Sequence, residues 1–327
     1  MTIISMEEAA ACGLELSSSR RKLPGAFDNH VHTCISDADP DQTPEEVCRA
    51  AKEAGLGHIT ITDHDSVLPE ERRRVLAGTY QLDVISGCEF SAAATVNGIR
   101  KVIHIIGTWL PADAPEVRRV LEVNENQDRE GYCKATLEKL RRIGIDPSGD
   151  GVDASYAMLL ADYPNSVHIG RRAIGQLLVK TGYARSEEEA SDRFLGAFGE
   201  RLAYIPTEEF YHYAEIEEVM AACRLGLPTL CHLYYYQLDE AGNNALLGIF
   251  KELGGQALEV DYSRYDRRQK ERLYRCYCKP YGLLPTAGSD RHSAGKAFCC
   301  GDPLLFKALR DRCRELHGTI TAGEEEA

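Results

Sequence analysis

Residues 27–41 read FDNHVHTCISDADPD. One valine separates His30 from His32, and Asp37 follows five residues after the second histidine. Alternate residues of a β-strand share a face, so the two imidazoles would point the same way. An H-x-H pair is weak evidence alone, because most such pairs bind no metal. What the neighbouring segments carry decides its meaning.

Working outward, strand and helix signals alternate. TPEEVCRAAKEAG (43–55) has Thr43 as N-cap, Pro44 at the first helical position, Glu46 completing a capping box and Gly55 at its end. HITIT (58–62) is a β-branched strand running into Asp63-His64-Asp65. DVIS (83–86) leads to Glu89, and KVIHIIG (101–107) holds His104 in its middle. Beyond Pro111 the pattern turns helical and charged to about residue 220, as in REGYCKATLEKLRRIG (129–144), with Cys133, Leu137 and Leu140 on one face. Strand signals return in LPTLCHL (227–233), QALEVDY (256–262) and LLPTAGSD (283–290), separated by helical stretches. The expectation is an α/β protein with one parallel sheet or barrel, interrupted once. The boundaries expected are an N-terminal extension over 1–24, a barrel over 25–110 and 220–327, and a helical insertion over 111–219.

Composition sets limits. The 327 residues carry a net charge of −13, which argues against a nucleic-acid grip over the whole surface, so no stable nucleic-acid binding is expected. No stretch is long and apolar enough for a membrane span, and the first residues are acidic where a secretory signal would be basic. The 12 cysteines lack zinc-finger spacing and C-x-x-C pairs, which suits reduced thiols in a cytoplasmic protein.

The chemistry lies in the strands and at their ends. His30, His32, Asp37, His64, Glu89, His104, His232, Asp290 and His292 sit within the strands or just past their C-terminal ends, where the active site of a parallel barrel forms. These include six of the ten histidines; one such histidine is ordinarily structural, but six with three carboxylates are hard to explain singly. Imidazole with carboxylate suits divalent Mn²⁺, Zn²⁺ or Fe²⁺, and nine candidates exceed what one ion takes, so two or three ions are expected. Clustered ions of this kind support phosphoryl transfer.

The motifs DNHVHTCISD, ITITDHDS, SGCEFSA, the histidine of IHIIG, TLCHL, ALEVDYS and LLPTAGSDRH, in this order, resemble the PHP (polymerase and histidinol phosphatase) family of metal-dependent phosphoesterases. IGRRAIGQLLVKTGYA (169–184) is similar to the motif of its branch with a helical insertion domain. The resemblance implies a distorted (β/α)7-type, TIM-like barrel. It further implies that His30, His32, Glu89 and Asp290 hold one ion, that Glu89, His104 and His232 hold a second, and that Asp37, His64 and His292 hold a third. The reaction implied is attack of a metal-bridged hydroxide on the phosphorus of a small phosphate ester: a sugar phosphate, a nucleotide or a cyclic phosphate. Arg171 stands at the arginine of the family's G-R-P-H motif, and its fork of donors suits a phosphate. Ala173 replaces that motif's histidine, with His168 nearby, while Arg172 and Arg291 are further candidates for phosphate contact. Asp63 and Asp65 are candidates for proton transfer or for orienting the ligand histidines. The alternative substrate class is a 3′,5′-bisphosphate nucleotide or the 5′ end of a short oligonucleotide. A C–N-cleaving amidohydrolase also begins with H-x-H, but the G-S-D-x-H ending and the D-H-D triplet argue against it. A run of Tyr234, Tyr235 and Tyr236 reads as rim packing or as an aromatic wall for a base or sugar.

Overall fold

The computed structural model describes residues 25–34, 42–163, 169–196 and 199–318. The extension expected over 1–24, Asp37 and His168 lie outside the described residues. The described residues form two compact units: one comprises 25–33, 42–124 and 213–318, the other chiefly 125–163, 169–196 and 199–212.

In the first unit seven strands form one sheet in chain order: β1 (Ala26–Val31), β2 (Leu56–Ile61), β3 (Asp83–Val96), β4 (Ile99–Thr108), β5 (Leu227–Leu230), β6 (Ala257–Tyr262) and β7 (Leu284–Gly288). The sheet curls until it is nearly closed: Val31 bridges to Arg291, and the Asp290 amide donates to the His30 carbonyl at 2.8 Å. This is the distorted seven-stranded, TIM-like barrel. It is not parallel throughout, because β4 runs antiparallel to both β3 and β5. The reversal is made by Asn97 and Gly98, both in the left-handed region at φ 50° and 80°. Such a pair forms the tightest hairpin turn, so β3 extends beyond the expected DVIS through SGCEFSAAATV and pairs with β4 along its length.

Alternation then sorts the side chains. Phe90, Ile103, Ile105, Leu230, Leu258 and Val260 pack outward with Val219, Met220, Leu246 and Phe250 in one apolar cluster. Their strand neighbours Glu89, His104 and Glu259 therefore face the other way, into the barrel. The helix over 44–54 has the expected start: Thr43 Oγ1 accepts from the Glu46 amide, and the Glu46 carboxylate accepts from the Thr43 amide. Helices Pro115–Glu125 and Ile216–Cys223 add Val117, Val120, Val219 and Met220 to the barrel cluster. The second unit is helical and has its own core, in which Tyr132, Leu137, Ile174, Leu177 and Phe194 meet. Among the described residues no helix is long and apolar enough to cross a membrane.

One buried carboxylate fastens the barrel seam. Asp28 is fully buried and accepts from the amides of His30 (3.2 Å), Ser289 (3.0 Å) and Cys299 (2.8 Å). Burial pushes its pKa up to about 6, against the pull of those donors. Replacing Asp28 by alanine strands three buried amides and should cost about 2–5 kcal/mol in denaturant unfolding. Asp28→Asn, which keeps an acceptor, should cost clearly less.

Candidate metal centre

Glu89 is the hub. Its side chain is completely buried, and five imidazoles approach it. Oε2 lies 3.2 Å from His30 Nε2, 3.2 Å from His32 Nε2 and 3.1 Å from His64 Nδ1. Oε1 lies 3.0 Å from His104 Nδ1 and 2.8 Å from His232 Nε2. On the far side, Asp290 Oδ1 is 3.4 Å from His32 Nε2 and 3.1 Å from His292 Nδ1. His30 Nε2 and His32 Nε2 are 3.1 Å apart, so both rings of the H-x-H pair reach one place.

Donor atoms fall into four overlapping groups, each with its atoms within 4.8 Å of one another: His30-His32-Asp290, His30-Glu89-His232, His64-Glu89-His104 and His32-His64-His292. Eight of the nine candidate ligands are thus brought together, and Asp37 lies outside the described residues. Despite three nitrogens within 3.2 Å, Glu89 Oε2 has no partner in hydrogen-bonding geometry; nor do the buried His32 Nδ1 and His232 Nδ1. Buried polar atoms are almost always satisfied, so convergent lone pairs that miss one another fit cations held between them. The donor set of imidazole and carboxylate suits divalent ions, and the residues present fit that role.

Electrostatics agree. Burial alone would raise the pKa of Glu89, but the surrounding imidazoles hold it well below the carboxylate range. Burial likewise opposes ionisation of Asp290, which His292 and His32 keep well below its usual value. His64 is pushed well down by burial, toward the neutral form that binds metals. Burial also opposes charge on His32, yet Asp290 and Glu89 raise its pKa to about 9.

Further residues hold this arrangement. Glu259, buried on β6, accepts from His30 Nδ1 at 2.9 Å and from the His232 amide at 2.9 Å. An acceptor at Nδ1 puts the His30 proton there and leaves Nε2 aimed at Glu89. Tyr262 Oη donates to Asp290 Oδ2 at 2.6 Å, turning Oδ1 toward the histidines. His232 and Asp290 both have left-handed backbones, at φ 31° and 49°, a strain that the Glu259 acceptor and the Asp290–His30 backbone bond sustain. Glu259 and Tyr262 are not among the residues the sequence singles out, although Glu259 alternates with outward Leu258 and Val260 as His104 does with Ile103 and Ile105.

The other candidates are placed differently. Asp63 accepts from the Thr33 amide at 2.5 Å and the Thr33 hydroxyl at 2.6 Å, and burial pushes its pKa up to about 6. Asp65 Oδ1 accepts from the Ser91 amide at 2.9 Å and from Asn124 Nδ2 at 2.6 Å. Both aspartates therefore tie strand-end loops in place, through bonds to Thr33, Ser91 and Asn124 rather than to a ligand histidine. Arg291, a candidate for phosphate contact, is only 3% exposed. Its guanidinium braces its own loop through the carbonyls of Lys296 (2.8 Å) and Ala294 (3.2 Å) and through Gln42, with Phe298 beneath it. In the second unit Arg171 opens the helix Arg171–Lys180, its Nε 3.1 Å from Tyr132 Oη and its guanidinium 5.2 Å from the Tyr204 ring. Arg172 pairs with Glu187 at 2.8 Å.

The PHP domain matches residues 28–263, most of the chain. A 5′-3′ exoribonuclease of Haemophilus influenzae is 26% identical over 283 residues, covering 86% of this chain and 94% of that one. A phosphoribosyl 1,2-cyclic phosphate 1,2-diphosphodiesterase of Eggerthella lenta is 28% identical over 144 residues, 44% of this chain and 48% of its own. In three dimensions, a structure described as an amidohydrolase from Chromobacterium violaceum superposes with a TM-score of 0.73 at 21% identity, over 88% of this chain and 96% of that one. At that identity the likeness concerns the fold. The exoribonuclease relative lends no support to the expectation that nucleic acid is not bound.

Two outcomes follow from the geometry. Glu259→Gln, and independently Gly288→Ala, should weaken Mn²⁺ binding about 10- to 100-fold by calorimetry, since orienting groups around ligands matter on that scale. A Cβ at Gly288 would collide with Glu259 Oε1 and His30 Cβ. Protons on His30 and His32, whose pKa values are raised, must leave before a cation binds, so metal uptake should release protons and be weaker at pH 6 than at pH 8. Calorimetry in buffers of differing ionisation enthalpy counts those protons.

Proposed function

Given that the chain belongs to the PHP family, we propose that the cluster around Glu89 holds two or three divalent ions and that the chain uses them to hydrolyse a phosphate ester. Membership makes it a metal-dependent phosphoesterase; the ligand set, the ion count and the substrate are the inferred parts. The observation that carries them is one fully buried carboxylate within 3.2 Å of five imidazoles. A buried anion so surrounded requires cations, and shared donors allow neighbouring ions to be bridged.

When bound, divalent ions supply charge neutralisation at the phosphoryl group and lower the pKa of water near it. The chain's own residues do the rest. Glu259 fixes the His30 ring and the His232 backbone, and Tyr262 fixes Asp290, so the donors are set before substrate arrives. Asp63 and Asp65 anchor the turn that presents His64. Arg171 is assigned to the phosphate, where the planar guanidinium can donate two parallel bonds. The reaction adds water across the P–O ester bond: the hydroxyl group goes to phosphorus and the proton to the leaving alkoxide.

A small phosphate ester, either a monoester or a cyclic diester opened and then dephosphorylated, is the substrate class that the site supports. A second reading, removal of 5′-terminal nucleotides from short RNA, is favoured by the exoribonuclease relative whose length the match spans almost entirely.

Purified protein supplied with Mn²⁺ or Zn²⁺ should release product from at least one of a panel of sugar phosphates, 3′,5′-bisphosphates, cyclic phosphates and 5′-phosphorylated oligoribonucleotides. A chelator should abolish the activity and added metal restore it; no turnover of any phosphate ester would refute the reading. Arg171→Ala should raise KM at least about tenfold with metal content unchanged, the size expected for losing a charge-assisted pair. Loss of metal instead would show that Arg171 is misassigned.

A further inference from the structure

Of the three tyrosines after His232, two are absorbed by the fold. Tyr236 is buried, its hydroxyl donating to the carbonyls of His104 (3.2 Å) and Cys231 (3.1 Å). The Tyr234 ring packs on Tyr265 at 5.3 Å, and its amide donates to the Tyr265 hydroxyl at 3.0 Å. Tyr235 is different. It is 66% exposed, and every other Phe, Trp or Tyr among the described residues is buried or half-buried.

Its place is fixed. The short turn Leu233–Tyr236 is held between His232 and Gln237, both in the left-handed region at φ 31° and 51°. The Tyr235 amide donates to the His232 carbonyl at 2.7 Å. The Tyr235 ring stands edge-on to the His232 ring, centroids 5.4 Å apart, while Tyr236 and Tyr262 flank the same imidazole from within. His232 Nε2 is 2.8 Å from Glu89 Oε1. A solvent-facing aromatic on a hydrogen-bonded turn thus borders the cluster at its β5 edge, three residues from a candidate ligand.

Stacking on an exposed aromatic ring selects for a flat π-face without reading its edges, and it tolerates any base. A phosphate at the cluster leaves the group it carries within reach of this edge. We propose that Tyr235 is a specificity residue that stacks the base of a nucleotide whose phosphate is held at the cluster, so that the substrate is a nucleotide or an oligonucleotide end. This rests on the phosphoesterase reading and goes further by choosing among its substrate classes. The ring touches the leaving portion of the substrate and takes no part in bond cleavage. Sugar phosphates, which lack a π-face, gain nothing from it.

The test compares two 5′-phosphorylated dinucleotides, one with both bases and one abasic at each position, with wild-type protein, Tyr235→Ala and Tyr235→Phe, all loaded with Mn²⁺. Wild-type turnover of either substrate sustains the phosphoesterase reading independently; turnover of neither, by protein that hydrolyses another phosphate ester, would overturn the assignment and leave that reading standing. Tyr235→Ala should raise KM for the substrate with bases about 5- to 100-fold at nearly unchanged kcat, leave the abasic substrate unaffected, and keep the wild-type metal content. Tyr235→Phe should restore the wild-type KM. Equal effects on the two substrates, no effect on either, or failure of phenylalanine to rescue would each overturn the assignment.

Discussion

Everything at the centre of this barrel depends on burying one negative charge. Glu89 has no access to water, and water is what ordinarily stabilises a carboxylate. Five histidines from four chain segments surround it, and each exists in the sequence where an apolar residue would pack more cheaply. Three of its five approaches, all at Oε2, lack hydrogen-bonding geometry, so of the imidazoles only His104 and His232 bond the carboxylate, at Oε1. The arrangement is consistent with positive charge delivered by something bound, and that requirement links fold, site and reaction.

Holding six rings and two carboxylates at such separations requires support beyond the donors. Glu259 ties a side chain on β1 to a backbone amide at the end of β5, and Asp28 ties β1 to the loop after β7. Tyr262 reaches from the end of β6 to Asp290. The Glu259–His30 and Asp28 bonds cross the seam where the sheet nearly closes, so contacts that shape the barrel also aim its donors. Left-handed backbones at Asp65, His232 and Asp290 gather beside the same cluster, as is common where a site must be rigid.

Much of this was legible in the chain because metal donors are conspicuous in apolar strands. His104 between Ile103 and Ile105, or Asp290 after LLPTAGS, has no reason to be there if the strand only packs. The Thr43 capping box was readable for the same local reason. What escaped depends on tertiary direction. The reversal of β4 rests on Asn97-Gly98, a hairpin signal hidden between two strands that alternation alone would also permit in parallel. Beyond a strand's end no periodicity tells inward from outward, so the bonds by which Arg291, beside two candidate donors, braces its own loop were not readable. Glu259 escaped because an acid followed by Val-Asp-Tyr reads equally well as a strand leaving the core.

Cations beside Glu89 are what the fold, the site and the reaction have in common. Crystals of the protein grown with Mn²⁺ and measured for anomalous scattering should show at least two peaks, one within bonding distance of each Glu89 carboxylate oxygen and flanked by the imidazoles named above. Peaks elsewhere, or none within bonding distance of Glu89 at saturating metal, would contradict it.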